Sequence, residues 1–104
     1  ALSASGPAYV FWFIEQLAAS GEKLGLERQT SLKLAMQMVL GAARLAAQSA
    51  DPPGELRRQV TSKGGTTEAA LKVFEEERLA EKILKALEAA SRRGAELGDE
   101  LGKG

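Results

Sequence analysis

The sequence predicts a single all-α domain, a helical bundle that needs a second copy of the chain to cover its apolar surface. Apolar residues recur at helical spacing along nearly the whole length. The length of 104 residues is typical of one domain. Residues 34–47 are apolar except at Gln37, Gly41 and Arg44, so this stretch needs cover on every side. So short a chain has few elements for that purpose, which favours a homodimer.

The first predicted helix covers residues 6–20. Pro7 suits the first helical turn, where its missing N–H would have no partner. The apolar run 9–14 could also be a buried strand, but the residues that follow it have helical composition. Ser20 and Gly21 then supply a C-terminal stop. These signals favour a helix.

The second predicted helix covers residues 27–50 and is ended by Asp51-Pro52-Pro53-Gly54. A membrane span is the competing interpretation of its apolar middle. Gln37 and Arg44 interrupt that stretch, and the longest unbroken apolar run is far below the roughly 20 residues that a bilayer core requires. We therefore expect no membrane insertion.

Three further helices are predicted in the second half of the chain, at 54–61, 66–76 and 78–97. The last of them has one apolar side and one charged side, which is typical of a helix with a solvated face. Residues 75–78 are expected to lengthen helical structure between the last two helices. The tail 98–104 carries three glycines and is expected to fray.

Composition excludes several classes of function. Fourteen acidic and fourteen basic residues cancel, so no net charge favours nucleic acid or an anionic membrane as a partner. The chain has no Cys and no His, which excludes disulfides, thiolate chemistry, histidine-based catalytic triads and the usual zinc sites. It begins at Ala1 without a visible signal peptide, so we expect a cytoplasmic fragment of a longer protein.

The strongest candidate for a binding site is the loop Val60-Thr61-Ser62-Lys63-Gly64-Gly65-Thr66-Thr67. Gly64 and Gly65 can adopt positive φ and have no Cβ, so N–H groups there can point at one oxyanion. Thr66 or Thr67 can cap the helix that follows, and the positive end of that helix favours a carboxylate or phosphate. On this pattern alone a plain loop is the more common interpretation.

Six segments, taken in order and at their spacing, resemble the C-terminal domain of pyrroline-5-carboxylate reductases. The resemblance runs over nearly the whole chain, which makes it more specific than any one motif. The segments are Leu2-Ser3-Ala4-Ser5-Gly6-Pro7-Ala8-Tyr9-Val10-Phe11, Lys23-Leu24-Gly25-Leu26, Val39-Leu40-Gly41-Ala42-Ala43, Pro53-Gly54-Glu55-Leu56, the loop 60–67, and Ala86-Leu87-Glu88-Ala89-Ala90.

The resemblance implies an enzyme that reduces 1-pyrroline-5-carboxylate to L-proline with NADPH or NADH. It also implies that residues 1–97 form a helical domain, similar to the C-terminal domain of 6-phosphogluconate dehydrogenase, which interlocks with its twin. In this family an N-terminal Rossmann domain binds the nucleotide. No glycine fingerprint of that kind occurs in these residues, so we expect this chain to bind no cofactor and to be inactive alone. We expect no metal either, because the chain has no Cys and no His.

The same resemblance assigns the loop to the substrate. It implies that Ser62, Gly64, Gly65, Thr66 and Thr67 bind the substrate carboxylate, and that the Thr67 hydroxyl approaches the ring nitrogen as the catalytic contact. None of these roles requires His or Cys, because the cofactor carries the redox chemistry.

The chain departs from the family pattern at three places. Lys63 stands where Pro is usual, Ala4 stands where Gly is usual, and Glu77-Arg78-Leu79 replaces a Gly-Gly-Phe-like turn. Lys63 lacks the fixed φ of proline, which puts the rigidity of the loop in doubt. Two other classes remain open: a helical dimerisation module without a ligand, and the C-terminal domain of another dehydrogenase of similar architecture.

Overall fold

The computed structural model describes the backbone of residues 2–103 and the side chains of residues 2–99. This part of the chain contains helices and no strand, which confirms the predicted all-α class. The helices are α1 (Leu2–Lys23), α2 (Arg28–Gln48), α3 (Pro53–Gln59), α4 (Thr66–Glu76) and α5 (Leu79–Lys103).

Two compact units can be distinguished along the chain. One is Pro7–Gln59, with most of α1 and all of α2 and α3. The other combines Ala1–Gly6 with Val60–Gly104 and holds the glycine loop, α4 and α5. The domain limits 1–97 stay a prediction.

Helix α1 extends beyond its predicted range 6–20 at both ends. It begins at Leu2, so Pro7 lies inside the helix and its predicted place in the first turn is wrong. Proline has no N–H, so Pro7 cannot donate the helical hydrogen bond to the Ser3 carbonyl. The first turn of α1 forms without that one bond. The glycine that ends α1 is Gly25, with φ 108°, rather than Gly21.

The end of α1 is a Schellman motif. The Leu26 N–H donates to the Gly21 carbonyl and the Gly25 N–H donates to the Glu22 carbonyl, both at 3.0 Å. Gly21 instead allows α2 to pack closely against α1, because it has no side chain at the contact. The Ser31 hydroxyl of α2 donates to the Ala18 carbonyl at 2.7 Å, and a Cβ at Gly21 would lie 2.1 Å from its Oγ.

Helix α2 confirms the predicted helix 27–50, with slightly shorter ends. Glu27 is its N-cap, and its carboxylate accepts the N–H groups of Gln29 and Thr30 at 3.2 and 3.1 Å. These backbone hydrogen bonds, followed by one from the Thr30 hydroxyl, lower the pKa of Glu27 below its ordinary value. The start of α2 is thus satisfied by a carboxylate of its own chain.

The apolar surface of α1 and α2 is largely uncovered. Among the described residues Ala35 is the one buried apolar side chain, 6% exposed, whereas Trp12 is 62% exposed. Other large apolar side chains share this exposure, among them Phe11, Leu34, Met36, Met38, Leu40 and Leu45. Within residues 2–103 no helix is both long and apolar enough to cross a membrane.

The second compact unit contains α4 and α5, which pack against each other. The predicted helix 66–76 is confirmed as α4. The helical extension expected over residues 75–78 is wrong, because Arg78 has φ 56°, in the left-handed region, and breaks the helix between Glu76 and Leu79.

The two remaining helices differ from their predictions mainly at the ends. The helix predicted at 54–61 is present as Pro53–Gln59. The predicted end of the last helix at residue 97 is wrong, because α5 continues to Lys103. Fraying of residues 98–103 stays a prediction, and Gly104 lies outside the described residues.

Candidate carboxylate-binding loop

A tight turn joins Thr61 to α4. The Gly65 N–H donates to the Ser62 carbonyl at 3.0 Å, and Gly64 has φ 74°. This is the pattern of a type II turn, in which Lys63 and Gly64 are the central residues and the second of them needs positive φ. The expectation of positive φ is therefore confirmed for Gly64. It is wrong for Gly65, whose φ of −89° and ψ of −177° are extended.

Gly65 is constrained by space instead of by backbone conformation. A Cβ built on it would lie 3.2 Å from the Ser62 carbonyl oxygen and 3.3 Å from the Ser62 Cβ. The turn folds back so closely that a side chain at position 65 would have to displace the backbone of Ser62. Both glycines thus serve the turn, for different physical reasons.

The N-cap of α4 is Gly65, so the predicted cap by Thr66 or Thr67 is wrong. The two threonines are the first two residues of the helix, and no side chain caps it. The first bond into the helix runs from the Ala69 N–H to the Gly65 carbonyl at 3.2 Å. The N–H groups of Thr66, Thr67 and Glu68 have no acceptor among the described residues.

Three of the predicted site residues carry hydroxyl groups, namely Ser62, Thr66 and Thr67. Those of Ser62 and Thr66 belong to exposed residues, and Thr67 is half-buried. None of the three has a hydrogen-bond partner among the residues that the structure describes. The structure therefore places hydroxyl donors next to unpaired N–H groups at the positive end of a helix, which is a suitable environment for a carboxylate.

Sequence reasoning missed Glu68. Its Oε1 accepts the Gly64 N–H at 3.0 Å. A glutamate three positions after an N-cap is the signal of a capping box, and that spacing could have found it. Here the Glu68 carboxylate accepts the N–H of Gly64, the residue before the N-cap, instead of the N–H of the N-cap itself. Since the N–H groups of Gly64 and Gly65 are both engaged, the unpaired donors are those of Thr66, Thr67 and Glu68.

A second concave region lies at the other end of α4. It is an open cavity of about 470 Å³ lined by Glu76, Glu77, Arg78, Glu81, Lys82 and Lys85. Within this lining Arg78 lies 3.6 Å from the Glu81 carboxylate, and the Lys82 ammonium donates to the Glu77 backbone carbonyl. This cavity is separate from the loop and contains none of the predicted site residues.

Comparison with known proteins decides the family. A model of the family described as pyrroline-5-carboxylate reductase dimerisation matches residues 1–97. The chain belongs to this family. It is 50% identical over 103 residues to a pyrroline-5-carboxylate reductase of Pseudomonas aeruginosa, covering 99% of this chain and 38% of the relative. It is 38% identical over 101 residues to pyrroline-5-carboxylate reductase 2 of Bacillus subtilis, covering 97% of this chain and 36% of the relative.

Solved structures of this family agree with the fold. A pyrroline-5-carboxylate reductase from Coxiella burnetii matches with a TM-score of 0.89 and 50% identity, over 92% of this chain and 36% of that one. The Plasmodium falciparum pyrroline carboxylate reductase, solved with NADP bound, matches with a TM-score of 0.83 and 36% identity, over 86% of this chain and 34% of that one. The chain spans about a third of the length of these relatives.

These matches establish the dimerisation family and the helical fold. They do not bear on individual side chains of the loop, so the roles of Ser62, Gly64, Gly65, Thr66 and Thr67 stay predictions.

Proposed function

We propose that this chain is the dimer-forming and substrate-binding part of a pyrroline-5-carboxylate reductase, which reduces 1-pyrroline-5-carboxylate to L-proline with NADPH or NADH. The observation that carries the proposal is the start of α4. Unpaired N–H groups and hydroxyls meet there after a turn held by glycines, in a chain of the reductase dimerisation family.

The substrate carboxylate is the group that this loop binds in the proposal. The N–H groups of Thr66 and Thr67 donate to its oxygens, and the Ser62 hydroxyl supplies a further donor. The dipole of α4 adds to the attraction, because the helix presents its positive end to the anion. Gly64 and Gly65 contribute by forming the turn that leaves these donors open.

Thr67 is the residue that we assign to the ring nitrogen. It is the half-buried one of the two threonines, and its hydroxyl can donate or accept a hydrogen bond. In this role it orients the C=N bond beside the carboxylate and assists protonation of the nitrogen. Such positioning supplies much of the acceleration in a reaction whose redox chemistry belongs to the cofactor.

The described residues offer no Rossmann-type site for a nicotinamide dinucleotide. Pyrophosphate binding of the Rossmann kind requires a glycine turn between a strand and a helix, and residues 2–103 contain no strand. We therefore propose that NADPH or NADH is held by a segment outside this chain, and that the chain alone binds neither.

The partner that we propose is a second copy of the chain. The dimers can assemble further into higher oligomers. The exposed apolar side chains of α1 and α2 support this, because obligate dimer interfaces resemble a core cut in half. Nucleic acid and membrane are not proposed as partners, since the charges cancel. We propose a cytoplasmic location.

The proposal is tested by calorimetric titration of the purified chain with NADPH and with L-proline, and by a reductase assay. We expect no turnover and weak binding by the chain alone, and turnover once a nucleotide-binding segment is joined or mixed with it. Tight cofactor binding or turnover by the chain alone would overturn the division of roles.

The exposed apolar surface favours one alternative, a helical dimerisation module without a ligand. Sedimentation does not separate the two ideas, because both expect a dimer. Substitution of Thr67 separates them, since a module without a ligand gives the Thr67 hydroxyl no function.

A further inference from the structure

We propose that Glu68 is a positioning residue of the substrate loop, which holds the turn in its bent conformation through the N–H of Gly64. The observation is the 3.0 Å hydrogen bond from the Gly64 N–H to the Glu68 Oε1. The inference rests on the proposed function, because it assigns Glu68 to the same carboxylate site.

The bond closes the loop at a point where the backbone is easily displaced. Gly64 is the left-handed residue of the turn, and glycine is the residue that loses most conformational freedom when it is ordered. The Gly65 N–H to Ser62 carbonyl bond and the Glu68 contact both hold the turn at residues 62–65. Lys63, which lacks the fixed φ of proline, makes such a second restraint more important.

Glu68 also carries its charge to the place where a substrate carboxylate would lie. Its own N–H is one of the unpaired donors at the start of α4, and its carboxylate folds back toward the same turn. A negative charge here stabilises the helix start but repels an incoming anion. Glu68 therefore favours substrate binding by holding the turn and opposes it by its negative charge.

Two substitutions separate these contributions. Glu68→Gln keeps a side-chain oxygen that can accept the Gly64 N–H and removes the charge, whereas Glu68→Ala removes both. In a full-length protein that contains this chain, we expect Glu68→Ala to raise KM about two- to tenfold with kcat largely kept. Glu68→Gln should leave KM equal to or below that of the unsubstituted protein. Glu75→Gln, elsewhere on α4, is the matched control and should change neither.

A second measurement needs no turnover. The amide proton of Gly64, observed by NMR in the 104-residue chain, should move upfield in Glu68→Ala and stay near its position in Glu68→Gln and Glu75→Gln. An equal rise of KM in the Ala and Gln variants, or a Gly64 amide unaffected by Glu68→Ala, would overturn the proposal. If the unsubstituted protein shows no reductase activity, the proposed function fails, and the Gly64 amide still decides whether Glu68 holds the turn.

Discussion

Helices α2 and α4 begin in opposite ways. At α2 the carboxylate of Glu27 accepts the N–H groups of Gln29 and Thr30, so the helix start is occupied by its own chain. At α4 the N-cap is Gly65, which has no side chain to offer, and the N–H groups of Thr66 and Thr67 have no acceptor among the described residues.

The difference is the one expected if the carboxylate of the proposed substrate binds at the start of α4. Glu27 demonstrates in this chain that a carboxylate fits the first N–H groups of a helix, at distances of about 3.1 to 3.2 Å. At α4 the glycine N-cap offers no carboxylate and Glu68 accepts the Gly64 N–H, so the N–H groups of Thr66 and Thr67 stay open to the carboxylate of the proposed substrate. Substitutions at the start of α4 should therefore change activity, whereas those at the start of α2 should change stability.

The largest effect is expected for Gly65→Val. A Cβ at this position already comes within 3.2 Å of the Ser62 carbonyl oxygen, and two further methyl groups would force the turn apart. We expect kcat/KM of the full-length protein to fall by at least about a hundredfold, because several donors are displaced together. Gly94→Val in α5 is the control, since a Cβ there meets nothing within 4 Å. Near-normal kinetics of Gly65→Val would remove the turn from the site.

A smaller loss of activity is expected for Thr67→Ala. Removing one hydroxyl that contacts a charged or polar substrate group costs about 1.5–3 kcal/mol, which corresponds to a fall in kcat/KM of roughly ten- to a hundredfold. Thr30→Ala makes the matched change at the start of α2, where the hydroxyl donates to Glu27. Steady-state kinetics of both variants test the comparison, and equal effects on kcat/KM would contradict it.

Arg78→Gly tests the turn at the other end of α4. Arg78 adopts φ 56°, a conformation that costs a residue with a Cβ about 1–2 kcal/mol. Glycine removes that cost but adds conformational freedom to the unfolded chain, so we expect a net stabilisation of about 0.5–1 kcal/mol. Chemical denaturation measures it, and kcat/KM should stay the same. Destabilisation would show that the side chain contributes more than the backbone conformation costs.

The smallest effect concerns the pH dependence of the stability that Glu27 contributes at the start of α2. The pKa of Glu27 is lowered below 4.5 in the folded chain, so its contribution to stability is present above that value and is lost as the pH falls through the folded pKa. The difference in Tm between the unsubstituted chain and Glu27→Gln should therefore vanish on acidification. A constant difference from neutral pH to well below 4.5 would show that the charge of Glu27 does not support the helix.

Sequence reasoning reached the helical class and the order of the helices because helical periodicity and the Pro-Pro-Gly stop are local signals. It failed where two local signals compete. Gly21 and Gly25 are both suitable ends for α1, and only the packing of Ser31 shows that Gly21 is needed for a close contact. Arg78 was expected to be helical as the first residue of the last helix, but it has a left-handed conformation at the joint between α4 and α5.

The candidate site was predictable in its composition and less so in its geometry. The two glycines and the flanking hydroxyl residues marked the loop, but the pattern does not tell which glycine has positive φ or which residue is the N-cap. The capping-box spacing marks Glu68 as a residue that can bond back to the turn, but it does not tell that the carboxylate accepts the Gly64 N–H instead of the N–H of the N-cap Gly65.

The contact between Gly21 and Ser31 links positions on two consecutive helices, α1 and α2. Any side chain at position 21 would meet the Ser31 Oγ at 2.1 Å, whereas the Ser31 Cβ is 3.3 Å away. Alanine at position 21 should therefore be tolerated better when position 31 is alanine or glycine than when it is serine. The side chain that is tolerated at one of these positions therefore depends on the residue at the other.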